Sequence, residues 1–109
     1  MSKTHMIDHT VCQYFDYETI AASQTDQALG GTGAAGDLLH RLVITVATAN
    51  SAAVDLQDGS GTAFPILKNS PGSGLGVYVV ELNAVSKAGA WSVTTGAGST
   101  VVAVGQFTD

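Results

Sequence analysis

The sequence predicts an all-β domain, two antiparallel sheets packed as a sandwich (jelly-roll-like, seven or eight strands), preceded by an extended N-terminal arm. Three observations predict it. Apolar and polar residues alternate with period two in several short runs, as they must when successive side chains point to opposite faces of a strand. The runs are separated by Gly- and Asn/Asp-rich turn clusters such as Asp58-Gly59-Ser60-Gly61 and Gly96-Ala97-Gly98. No stretch reads convincingly as a helix.

Residues 1 to about 12 are polar, carry His5 and His9, and show no apolar period, so they read as an arm. Tyr14 to Ile20 is rich in aromatic and β-branched residues and reads as a first strand. The aromatics of this segment should pack on the domain or on a neighbouring subunit, and Tyr14, Phe15, Tyr17 and Ile20 are the candidate interface residues. On this reading residues 1–20 form the arm with its first strand and residues 21–109 the sandwich domain. A polar link, Ser23 to Gln27, leads into Gly30-Gly31-Thr32-Gly33-Ala34-Ala35-Gly36, whose four glycines suit neither a helix nor a strand interior.

The longest strand follows from Asp37 to Thr48. Strict alternation puts Leu38, His40, Leu42, Ile44 and Val46 on one face and Asp37, Leu39, Arg41, Val43 and Thr45 on the other. The first set is almost wholly apolar, so Leu38, Leu42, Ile44 and Val46 are predicted core residues. Ala49-Asn50-Ser51 then reads as a turn. Val54 to Asp58 alternates cleanly, and the hairpin at Asp58-Gly59 returns through Thr62 to Leu67, where Pro65 marks a sheet edge. Asn69 to Gly74 is a second long loop. Leu75 to Leu82 is apolar on both faces and should be covered on both sides, by a second sheet or by a partner. Asn83 to Gly89 reads either as more strand or as a short helical turn. Trp91 to Thr95 and Thr100 to Phe107 form a last hairpin, with Trp91 and Val93 on the core face and Trp91 near its centre.

The 109 residues suit one domain. Only 12% are charged, against about 25% in an average soluble domain. A surface so poor in charge desolvates cheaply and suits packing against other chains. The net charge of −5, with Lys3, Arg41, Lys68 and Lys87 as the only cations, is no footprint for nucleic acid. No apolar run approaches the ~18 residues that would make a membrane partner, and no apolar signal core directs export. The single Cys12 excludes an intrachain disulfide and fits a reducing compartment.

Several constellations suggest chemistry and lose to plainer readings. Gly31-x-Gly33-x-x-Gly36, with Asp55 further on, matches a dinucleotide fingerprint, but a β-branched strand follows where a helix is required. No cofactor is expected. His5, Asp8, His9 and Cys12 have ligand-like spacing but no second cluster, so no metal site is assigned. Asp55, Gln57 and Asp58 depart from a calcium loop and read as turn and strand-face residues. His40 lacks a motif-spaced Ser, Cys or Asp partner and reads as a satisfied core or interface histidine. No catalytic residue is assigned, and an enzyme is not expected.

The Gly-rich entry to the long strand, the Asp58-Gly59 hairpin and the Ala90-Trp91-Ser92-Val93-Thr94-Thr95-Gly96-Ala97-Gly98 hairpin lie between Ser23 and Phe107. There the chain resembles small head decoration (cement) proteins of tailed phages. The resemblance implies a non-enzymatic β-sandwich, assembled in the host cytoplasm, on the capsid exterior. It would bind between major capsid protein subunits and cluster as a homo-oligomer, a trimer before a dimer, with an arm reaching onto a neighbour. The fold serves two other roles equally, because fold does not fix function. One is a receptor- or carbohydrate-binding module of a tail fibre or baseplate, with Trp91 or Tyr78 as an exposed platform. The other is a head–tail or tail-tube component.

Overall fold

The computed structural model describes residues 15–32, 34–48, 52–68 and 75–108. Tyr14, His5, Asp8, His9, Cys12 and the Asn69–Gly74 loop lie outside them. The described residues form eight strands and no helix: β1 (Asp16–Ile20), β2 (Gln27–Ala28), β3 (Leu38–Val46), β4 (Val54–Asp58), β5 (Phe64–Leu67), β6 (Gly76–Val85), β7 (Trp91–Thr95) and β8 (Ser99–Gln106). One antiparallel sheet has the order β1-β8-β3-β6 and the other β2-β7-β4-β5. The pairs β1–β8, β2–β7, β3–β6 and β4–β5 nest inside one another. The chain thus forms nested antiparallel pairs that turn between β4 and β5 and stack into the two layers of a β-sandwich.

Between the sheets lie Ile20, Leu29, Leu39, Leu42, Ile44, Val46, Ala52, Val54, Leu56, Trp91, Val93, Val101, Ala103 and Phe107. The predicted core residues Leu42, Ile44, Val46, Trp91 and Val93 are among them. Leu38 is not. It is half-buried and Leu39 takes the inward place, fully buried. The cause is a bulge at His40. Register is regular through Leu39 and resumes at Arg41, with one extra residue in β3 relative to β8 and one in β6 relative to β3. The step inverts the alternation upstream of Arg41. Opposite it, Gly105 has to be glycine, because a Cβ there would lie 2.1 Å from the Leu38 carbonyl oxygen.

Two carboxylates fasten the loops. Asp37, 6% exposed, accepts through Oδ2 from the Ala34 and Thr108 amides at 3.1 and 2.9 Å and through Oδ1 from the Thr108 hydroxyl at 2.7 Å. Its carbonyl accepts from the Trp91 indole N–H at 3.0 Å and from the Ser86 amide at 2.9 Å. The Gly-rich loop, the C-terminal end and the core tryptophan therefore meet at one residue. Asp58 accepts from the Lys87 and Ala88 amides at 2.9–3.1 Å, tying the β4–β5 turn to the β6–β7 loop.

Three boundaries differ from the sequence reading. β1 pairs with β8 along its whole length, so the first strand belongs to the sandwich and not to an arm ending at residue 20. Ile20, expected at a subunit contact, is 1% exposed and lies in the core. β2, inside the supposed polar link, is too short to leave a periodic signature; its two residues pair with Val93 and Ser92. The ambiguous segment after Leu82 continues as strand to Val85, past Asn83 at φ +54°.

Candidate functional site

The exposed face of the β1-β8-β3-β6 sheet is the most distinctive surface among the described residues. The register lines up three transverse rows on it. Thr19, Val102, Val43 and Val79 cross all four strands. Thr100, Thr45 and Val77 lie on one side of this row, and Tyr17, Val104, Arg41 and Glu81 on the other. Four strands about 4.8 Å apart make the face about 15 Å wide. Tyr17, Val77 and Val79 are 73%, 61% and 55% exposed. The sequence predicts cover on both faces of Leu75 to Leu82, by a second sheet or by a partner. One face is covered: Tyr78, Val80, Leu82 and Ala84 pack on the core, while Val77, Val79 and Val85 stand open.

The polar end of the face is a consequence of the bulge. Neighbours in a regular strand point to opposite sides, but here His40 and Arg41 share one. Arg41 Nη2 donates to His40 Nε2 at 2.8 Å. Nε2 therefore carries the lone pair, and the proton sits on Nδ1, which donates to Asn83 Oδ1. Phe15 stacks on the imidazole with ring centres 4.7 Å apart and planes 5° from parallel. Glu81 Oε2 stands 3.4 Å from Arg41 Nε, an ion pair without hydrogen-bond geometry, since that nitrogen has no hydrogen-bond partner. Both side chains are about half exposed, so the pair contributes at most about 1 kcal/mol. Pairing sets the two charges of the Tyr17–Val104–Arg41–Glu81 row against each other and leaves the three rows without net charge.

His40 is thus satisfied, as expected, but on the outer face and not in the core. No sequence signal joins it to Asn83 and Phe15; the bulge does. Asp58 and Asp55 form no calcium site: both Asp58 oxygens hold backbone amides, and Asp55 is a β4 residue opposite Thr94 and Pro65. Among the described residues no group of three or more His, Cys, Asp or Glu is placed to hold a metal ion. After Gly36 the chain enters β3, so no helix N-terminus faces the Gly-rich loop. Of the two platform candidates, Trp91 is 4% exposed with its N–H engaged, and Tyr78 packs against the core. Phe15 and Tyr17 are exposed, 41% and 73%.

A concavity of about 290 Å³ opens between the sheets where β5 faces β6. Leu56, Phe64, Ile66, Leu82, Ala84 and Trp91 line it. The opposite side of the sandwich is bridged by hydrogen bonds beside a concavity of about 350 Å³ lined by Phe15, Asp16, Tyr17, Glu18, Gly30 and Phe107. Gln24 exchanges hydrogen bonds with Thr95, Asp26 bonds Thr94, and Glu18 accepts from the Gly30 amide at 2.7 Å. No family model, curated protein or solved structure matches the chain.

Proposed function

We propose that the chain is a structural protein that docks on a protein shell through the outer face of the β1-β8-β3-β6 sheet, as a decoration protein on a tailed-phage capsid. The observation that carries the reading is the row Thr19–Val102–Val43–Val79, uncharged across four strands and bordered by exposed Tyr17 and Phe15. An apolar centre with aromatics and a polar rim is the anatomy of a protein interface. Contiguous apolar surface of this kind on a chain with net charge −5 points to a partner that covers it. The sequence resemblance supplies the class of partner, a lattice of major capsid protein subunits. No reaction is assigned to the chain.

The test is co-sedimentation of the full chain with phage heads stripped of decoration protein. Saturable pelleting that falls at least about tenfold in affinity for Val43→Lys supports the reading, provided circular dichroism shows the variant folded. Absence of pelleting, or pelleting indifferent to Val43→Lys, contradicts it. The carbohydrate reading has lost its best residue, because Trp91 is enclosed.

A further inference from the structure

We infer that two copies of this chain pair through β6, edge to edge and antiparallel, to join their four-stranded sheets into one of eight strands. The sandwich has four sheet edges, and three are blunted. β2 is two residues long. β5 is four residues long, contains Pro65 and pairs with β4 through a register shift. β1 carries Asp16 and Glu18 and is laced to the Gln27–Gly30 segment through Glu18. Short strands, proline, irregular pairing and charge are the usual protections of an edge.

Over its first seven residues β6 has only one of these, a single charge at Glu81. It is the longest strand, ten residues, with neither proline nor lysine, and no strand among the described residues pairs with its far side. Its one charge, Glu81, is turned to Arg41 of the neighbouring strand. The bulge at Asn83 bends only the last turn of the ladder and leaves Gly76 to Leu82 regular against β3 up to Glu81. The apolar groove lined by Phe64, Ile66 and Leu82 opens on this same side, and Phe64 is 49% exposed.

The occupant is a second copy because of charge and symmetry. The molecule is acidic, so close approach of two copies costs least where the charge is lowest. The β6 side of the sheet face, with Val77, Val79 and an internally paired Glu81, is such a place. A two-fold axis perpendicular to the sheet sets the two β6 strands antiparallel and keeps both outer faces on one side. That interface is isologous and closed, so it ends at a dimer and does not propagate. It covers the mouth of the groove on each copy and doubles the exposed valine face. The pairing concerns the edge and stands apart from what the face docks on.

Sedimentation equilibrium of the full chain tests it, with Val77→Lys and Val79→Lys at the edge and Val43→Lys on the interior strand of the same face. Both edge positions are more than half exposed, so lysine is accommodated in the folded monomer. The expected result is a mass of about 22 kDa, twice the 11.0 kDa chain, for wild type and Val43→Lys. Each edge variant is expected to raise the dissociation constant at least about tenfold. A wild-type monomer at every concentration up to the millimolar range overturns the pairing, as does a trimer. Loss of the dimer in Val43→Lys overturns it too, because that marks sheets stacked face to face. A monomer that still pellets with heads sinks the edge pairing and leaves the docking reading standing.

Discussion

Replacing Asp37 separates the two things its carboxylate does: filling space and accepting three hydrogen bonds. Asp37→Ala strips the acceptor from the Ala34 and Thr108 amides and from the Thr108 hydroxyl. A hydrogen bond to a charged group contributes about 1.5–3 kcal/mol, and an orphaned buried donor costs a similar amount. Ala34 and Thr108 are only half-buried, so water recovers part of this, and the expected loss is about 3–4 kcal/mol. Asp37→Asn behaves differently. Its amide oxygen takes the Oδ2 place and accepts from both backbone N–H groups, while its NH₂ donates to the Thr108 hydroxyl, which then acts as acceptor. Only the charge is lost, an expected cost of about 1 kcal/mol. Urea unfolding followed by fluorescence of the single Trp91 reads both, since the indole is bonded to the Asp37 carbonyl. With a slope of about 1.5 kcal/mol/M, the midpoint falls by about 2 M for alanine and by less than about 1 M for asparagine. Equal midpoints for the two variants would refute the assignment of Asp37 as the acceptor hub.

Other substitutions probe other joints. Ile20→Ala is expected to cost about 2–4 kcal/mol of unfolding free energy, because Ile20 is a core residue, whereas Tyr17→Ala changes stability by less than about 0.5 kcal/mol. Gly59→Ala is expected to lower stability by about 2–4 kcal/mol: φ is +58° and the new Cβ would stand 2.6 Å from the Ala88 carbonyl carbon. A differential-scanning measurement of Tm checks it. Fluorescence of native Trp91 is expected to be blue-shifted and insensitive to acrylamide, with no change on adding glycans; quenching at the rate of free tryptophan would contradict its burial.

The alternating runs made most strands legible. In β4 and in β3 beyond the bulge each inward residue is apolar, and turn residues punctuate the hairpins, so sandwich and core followed. The failures share one cause, interruptions of period two. At Leu38-Leu39-His40 three bulky residues in a row allow either register. The choice is made by pairing partners far off in the chain, Gly105 and Ala84, so alternation alone puts the wrong leucine inside. Ile20 follows exposed aromatics with which it shares composition but not a face of the strand, so composition alone does not separate them. The site was legible only as a tendency, low charge and a doubly apolar β6. Which face stays open depends on which strands meet across the layers, and that is a property of long-range pairing. The Phe15–His40–Asn83 contact has no signature at all, since its members come from the residue before β1, from β3 and from β6.

The most direct measurement is hydroxyl-radical footprinting of the full chain, free and bound to stripped phage heads. Tyr17 and Phe15 border the proposed docking face, and Phe64 and Leu67 report on the other sheet. Oxidation of Tyr17 and Phe15 is expected to fall severalfold on binding while Leu67 is unchanged. Undiminished oxidation of Tyr17 and Phe15, with protection moved to Leu67 or nowhere, would contradict docking through the valine face.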